Sequence, residues 1–195
     1  GGLGVHMASR GTTRSLNVDQ GDLPVMDLAK LVRDVPDFPV EGILFKDITT
    51  LLQRPDAFRE AVDALAGRFA DRGVDQVVAI ESRGFVFGAP LAYKLKAGFV
   101  PVRKPGKLPA KTISVEYSLE YGTNTLEVHV DAIEPGQKVL LVDDLLATGG
   151  SARAAIELVE RLGGVVVGAA FLIELESLQG AKKLEGYEVF SLIRF

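Results

Sequence analysis

Apolar residues along this chain recur in two rhythms, and the rhythm changes from segment to segment. At Met26–Val35 (MDLAKLVRDV) they fall at helical spacing, which predicts a helix that PDFP then ends. The stretch Val40–Leu52, around GILFKDITT, is mixed. Asp56–Arg72 predicts a strong amphipathic helix: Phe58, Val62, Leu65 and Phe69 share one face, and Gly73 lies just past the end. VDQVVAI (74–80) reads as a short buried strand, Gly84–Lys96 as a helix despite Pro90, and GFVPVRK (98–104) as another strand. Residues 104–125 are polar, carry two Pro and two Gly and hold no sustained period. A stretch of that length inside a compact domain predicts a functional loop or hairpin flap. Leu126–Val130 reads as a strand returning from it. EPGQK (134–138) is a turn. A strand over 139–144, a helix over 150–162, a strand over 165–175, a short helix over 177–184 and a strand over 187–195 complete the pattern.

Strands alternate with helices, and the strand interiors are continuous Val/Ile/Leu runs. That combination predicts an α/β domain with a central, mostly parallel sheet covered by helices on both faces. In such sheets ligands bind at the carboxyl ends of the strands. Three segments reach that edge with unusual chemistry: Glu81-Ser82-Arg83-Gly84, Arg103-Lys104 and Asp143-Asp144.

The bulk composition narrows the possibilities. The 195 residues suit one domain, 47% are hydrophobic and 25% charged, and the formal net charge is −4. A negative balance gives no support to nucleic-acid binding. There is no Cys, which removes disulfides, thiolate metal sites and a cysteine nucleophile and suits a reducing, cytoplasmic setting. His6 and His129 are the two histidines, too few for a histidine-rich metal site. No apolar run is long enough to span a bilayer. Residues 1–25 lack both a core pattern and the apolar stretch of a signal peptide. They read as a disordered extension, with GGLGVHM as a cloning remnant, ahead of one domain over 26–195.

The most informative stretch is VLLVDDLLATGGSARAAIELV (139–159). Two adjacent acids end a buried strand, and a glycine loop then opens a helix. The loop amides, the Thr148 and Ser151 hydroxyls and the helix N-terminus can wrap a phosphate, while Gly149 and Gly150 permit close backbone approach. It is not a Walker loop, because no GK[ST] is present. Carboxylates repel a phosphate unless they serve other groups on the same ligand. Sugar hydroxyls are one natural partner and a magnesium ion is the other. The plainer reading is an Asp pair capping a tight turn. The whole stretch favours a sugar phosphate, its phosphate on Ala147–Ser151 and its hydroxyls on Asp143 and Asp144.

That stretch resembles the phosphoribosyl-diphosphate (PRPP) motif of the type I phosphoribosyltransferases. DFPVEGILFKDIT (37–49), ESRGFVFGAPLA (81–92), VRKPGKLP (102–109) and YSLEYGTNTLEVH (117–129), in this order and spacing, resemble the adenine phosphoribosyltransferase branch from about Leu31 to Phe195. The resemblance implies the type I fold, with a flexible flap over about 104–126 and a small hood for the base over about 26–52. It implies transfer of 5-phosphoribosyl from PRPP to N9 of adenine, giving AMP and pyrophosphate in purine salvage. It places the 5′-phosphate on Ala147, Thr148, Gly149, Gly150 and Ser151, and the ribose on Asp143 and Asp144. Pyrophosphate falls to Glu81, Ser82 and Arg83, with a non-proline cis peptide expected at Glu81–Ser82, and to Arg103, Lys104 and Lys107. Arg103 is also a candidate for reaching a second subunit's site. Glu120 and Tyr121 are the implied catalytic residues of the flap, Glu120 assisting proton movement at the purine imidazole and Tyr121 helping the flap close. Phe45 is expected to stack on the purine, with backbone groups of Leu44 and Lys46 reading its edge; the family often has Arg where Lys46 stands. Mg²⁺ is implied through PRPP, without a direct protein ligand, as is a homodimer. The same motifs leave open a sister enzyme for xanthine or hypoxanthine and a non-catalytic PRPP-binding regulator.

Overall fold

The computed structural model describes residues 26–119 and 122–195. Its centre is a five-stranded, wholly parallel sheet. The strands are β3 (Gln76–Ile80), β4 (Gly98–Val102), β7 (Lys138–Leu146), β8 (Val165–Glu174) and β9 (Val189–Arg194), with spatial order β4-β3-β7-β8-β9. Strand side chains alternate between faces, so each strand feeds two cores. Val77, Ala79, Leu140 and Val142 join the core under helices α2 (Pro55–Phe69) and α3 (Gly84–Leu95). Val78, Ile80, Val139 and Leu141 join the opposite core, closed by α4 (Gly150–Arg161). Burial on both faces explains why the strands read as unbroken apolar runs.

After the one-turn helix α1 (Thr49–Leu52), the amphipathic helix forms over Pro55–Phe69, with Pro55 in its first turn, where a missing N–H costs nothing. A short 3₁₀ turn, Ala70–Arg72, and Gly73 in the left-handed region (φ 63°) end it. The buried strand expected at 74–80 forms, with Ile80 in the core, and the helix and strand expected after it form as well, burying Leu91, Val100 and Val102.

Two short antiparallel hairpins stand apart from the sheet. The first pairs β1 (Arg33–Pro36) with β2 (Leu44–Asp47). Here the helix expected over Met26–Val35 is corrected: a single 3₁₀ turn, Leu28–Leu31, is followed by strand. The β-branched Val35 sits opposite Phe45, and Arg33 sits opposite Asp47 and bonds it side chain to side chain. Those cross-strand pairs outweigh a weak helical periodicity. The second hairpin, β5 (Thr112–Ser118) with β6 (Thr123–His129), occupies much of the predicted flap region. It contributes Val115, Leu126 and Val128 to the α4-side core. It is tied to the sheet edge where Arg103 and Glu127 exchange backbone hydrogen bonds of 3.0 and 2.7 Å. The short helix expected over 177–184 is two 3₁₀ turns, Glu176–Leu178 and Gly180–Leu184, separated by Gln179 at φ 53°. The extension at 1–25 lies outside the described residues.

Strand order runs outward in chain sequence from β3 to β4 on one side and from β7 through β8 to β9 on the other. The direction therefore reverses between β3 and β7. A crevice at the carboxyl ends of those two strands is where this architecture receives a ligand.

Candidate active site

The reversal point gathers most of the chemistry that the sequence singles out. Asp143 and Asp144 lie on β7 just past its pairing with β3, which ends at Ala79 opposite Val142. With Glu174 they are the buried charged residues among those described, at 9% and 5% exposure. Asp143 Oδ1 accepts the Asp144 backbone N–H at 2.8 Å. Burial, then the neighbouring Asp144 charge, push the Asp143 carboxyl well above the ordinary range. Gly84, the first residue of α3, lets the helix start come this close: a Cβ there would lie 2.9 Å from Asp143 Oδ1.

Beyond β7 the chain turns through Ala147 and Thr148 to Gly149, which is left-handed at φ 81°, and Gly150 then opens α4. The first-turn amides of this 12-residue helix have no partners within it and face any anion at its start. Ser151 lies in that turn. The hairpin leans on the same place, for a Cβ on Gly150 would meet the Tyr117 ring at 3.2 Å. Burial and the Asp143 charge both raise the Tyr117 phenol above its ordinary value. The sequence reading missed Tyr117, since one aromatic in a polar loop carries no signal.

Arg83 links the parts. Its Nε donates to Asp144 Oδ2 at 2.5 Å, and its guanidinium lies 5.5 Å from the centre of the Phe45 ring. Burial opposes its charge, but Asp144, Asp143 and Asp47 outweigh burial and raise its pKa. The peptide before it, Glu81–Ser82, is cis, as expected. Glu81, Ser82, Arg83, Lys104 and Lys107 line a cavity of about 310 Å³. Inside this group Glu81 has a distinct place. Its carboxylate accepts from Arg103 Nε at 2.6 Å and from the Lys104 backbone N–H at 3.1 Å, with the Lys107 ammonium 3.1 Å away. Burial would raise the Glu81 carboxyl, yet these donors together bring it below its ordinary value. Glu81 therefore holds the cations in register, while the positive groups and the amides nearby are what an anion would meet.

The first hairpin completes the crevice. Val35, Phe38, Phe45 and Asp47 line a cavity of about 260 Å³, mostly apolar and wide enough for a flat heterocycle. Phe38 and Phe45 meet edge to face at 5.1 Å. Alternation on β2 sends Lys46 to the other face, where its ammonium reaches Asp34 at 2.7 Å and sits 3.9 Å over the Phe195 ring. At that position only the Lys46 backbone can serve the cavity. Leu44 is half exposed beside it. Asp47, absent from the sequence reading, takes the Thr49 backbone N–H and hydroxyl and the Arg33 guanidinium, and its pKa falls to about 2. Glu120 and Tyr121 lie outside the described residues.

A sequence profile of the phosphoribosyl transferase domain matches residues 47–194. Among curated relatives, the adenine phosphoribosyltransferase of Carboxydothermus hydrogenoformans is 59% identical over 170 residues, covering 87% of this chain and 100% of that one. The chain belongs to the adenine phosphoribosyltransferase family. Its fold agrees with solved members. The enzyme of Thermoanaerobacter pseudethanolicus superposes with a TM-score of 0.84 at 56% identity, covering 86% of this chain and 98% of that one. The enzyme of Saccharomyces cerevisiae, complexed with an imino-altritol bisphosphate and adenine, gives 0.80 at 44%, covering 85% and 96%.

No group of three or more His, Cys, Asp or Glu side chains among the described residues is placed to cage a metal ion. Asp144 is bonded to Arg83, Glu81 to Arg103, and Asp143 is buried.

Proposed function

We propose that this protein is an adenine phosphoribosyltransferase, converting adenine and PRPP to AMP and pyrophosphate in cytoplasmic purine salvage. The observation that carries the reading is one juxtaposition: twin buried acids, a glycine turn into α4 and a cation-lined cavity meet at the sheet's reversal point. Adenine as the base is supported by the aromatic cavity at Phe45 and by the yeast relative crystallised with adenine.

In this reading Ala147–Ser151 grip the 5′-phosphate through amides and the Thr148 and Ser151 hydroxyls. Asp143 and Asp144 orient the ribose hydroxyls. Ser82, Arg83, Arg103, Lys104 and Lys107 offset the charge that develops on the departing pyrophosphate, with Glu81 holding three of those donors in place. Magnesium, where PRPP carries it, would add charge neutralisation to what Arg83, Arg103, Lys104 and Lys107 supply there. As the bond at C1′ stretches, the sugar gains oxocarbenium character, and adenine N9 adds at the opposite face. Phe45 stacks on the base while the Leu44 and Lys46 backbones read its edge. The β1–β2 hairpin acts as the hood and the β5–β6 hairpin as a flap that excludes water. On the flap, Glu120 takes the proton released from the imidazole and Tyr121 helps closure. A homodimer is the proposed assembly.

The deciding experiment is magnesium-dependent pyrophosphate release from PRPP against a panel of purines and pyrimidines. Adenine is expected to lead. Asp144→Asn and Thr148→Ala are expected to raise KM for PRPP, and Glu120→Ala to lower kcat. Preference for xanthine or hypoxanthine, or DNA binding without release, would overturn the reading.

A further inference from the structure

Behind the phosphate loop the chain makes a contact that involves no side chain. Gly180, buried at the start of its 3₁₀ turn, presses its backbone against the loop. A Cβ on Gly180 would lie 2.2 Å from the Ala147 carbonyl oxygen, 3.0 Å from that carbonyl carbon and 3.0 Å from the Gly149 nitrogen. The contact is reciprocal: a Cβ on Gly149 would lie 2.4 Å from the Gly180 carbonyl oxygen. These neighbours are backbone atoms on both sides, so no rotamer change could relieve a side chain introduced at either residue.

The approach has a direction. The Ala147 oxygen is nearer the Gly180 position than its own carbon by most of a C=O bond length, so the carbonyl points at Gly180. In a trans peptide the C=O and the following N–H point opposite ways. The Thr148 N–H is therefore aimed away from Gly180, toward the open side of the loop where an anion at the α4 start would sit. Gln179, left-handed at φ 53°, delivers Gly180 to this contact at the end of the chain's excursion after β8.

We propose that Gly180 is a positioning residue for the phosphate loop, its bare backbone fixing the direction in which the loop amides point. The inference rests on the proposed PRPP reaction. Gly180 itself touches no substrate and acts through Ala147 and Gly149. Any side chain at 180 must push the Ala147 carbonyl, turning the Thr148 N–H out of line and weakening the grip on the 5′-phosphate while leaving the base cavity, built on the other hairpin, untouched.

The test is Gly180→Ala in the full chain, with melting temperature and both Michaelis constants measured. KM for PRPP is expected to rise about tenfold or more, as loss of a charge-assisted hydrogen bond would cause, with KM for adenine within about twofold and the melting temperature lowered by only the few degrees that local overpacking costs. An unchanged KM for PRPP overturns the inference, and so does a parallel rise in both constants with a large loss of stability, which marks a general structural role. If Gly180→Ala does not fold, amide exchange on the parent chain decides. Ribose 5-phosphate is expected to slow the amides of 148–151 and 180–182 together, and slowing confined to 148–151 overturns the inference. The parent's own pyrophosphate release with adenine is measured first. Its absence defeats the underlying reaction, whereas its presence beside an unaffected Gly180→Ala defeats this inference alone.

Discussion

At the scale of single residues, the proposed ribose-binding role of Asp143 predicts a trade of stability for function. Its carboxyl is buried and its pKa is raised, first by burial and then by Asp144. A raised folded pKa means that folding is unopposed below the ordinary value of 3.8, where both states hold the proton. As pH rises past that value the unfolded chain ionises and gains hydration while the folded chain does not. Stability therefore falls with rising pH until the folded pKa is reached. Asparagine keeps the shape, retains an oxygen for the Asp144 N–H and offers an N–H in place of the acid proton, but does not titrate. Asp143→Asn is expected to melt a few degrees above the parent at neutral pH, with the gain disappearing below about pH 4, while KM for PRPP increases. Calorimetric scans from acid to neutral pH check this, and a variant less stable than the parent at neutral pH sinks it. Arg83 illustrates a complementary economy, since one guanidinium serves Asp144, the Phe45 ring and the cation-lined cavity together.

At the scale of elements, two helical glycines separate propensity from packing. Gly67, on the exposed side of α2, has nothing within 4 Å of a would-be Cβ. Gly88, inside α3, has the Ala79 Cβ at 2.5 Å and the Phe99 ring at 3.0 Å. Alanine gains about 1 kcal/mol over glycine within a helix, but overpacking a tight core costs roughly 1–3 kcal/mol. At 67 only the gain applies; at 88 the neighbour is a strand methyl with no rotamer to yield, and the cost wins. Denaturant melts should show Gly67→Ala more stable by about 0.5–1 kcal/mol and Gly88→Ala less stable than the parent. Equal signs for the two would refute the steric argument. The same contrast explains what the sequence disclosed. The helix at Pro55–Phe69 was legible because its burial repeats within the element itself. The doubly buried strands and the DDLLATGGS turn were legible because their chemistry is contiguous along the chain. The β1–β2 hairpin was not, since Arg33 and Asp47 stabilise it from 14 residues apart. Gly180 against Ala147 and Tyr117 against Gly150 are likewise contacts that only the packed sheet creates, and no local pattern announces them.

At the scale of the whole molecule, net charge and local field have opposite signs. The chain carries −4, yet Arg83, Lys104 and Lys107 line one cavity in which Glu81 is the acidic member, and Arg103 is bonded to that Glu81. The overall charge would slow the approach of a polyanion such as PRPP; the cluster would speed it. Distance decides between them, because cations at the cavity rim act within a few ångströms while the acids of the remaining surface are dispersed and screened. Screening sharpens with salt, the Debye length shrinking from about 30 Å at 0.01 M to about 8 Å at 0.15 M. With free magnesium held constant, kcat/KM for PRPP should therefore fall several-fold over that range, whereas kcat/KM for neutral adenine at saturating PRPP should stay within about twofold. Lys107→Ala removes a half-exposed member of the cluster and should flatten the PRPP slope without altering the adenine one. A PRPP rate constant that rose with salt would mean that the dispersed negative charge governs the encounter. Equal salt sensitivity for both substrates would mean that salt acts on the fold or on closure rather than on capture.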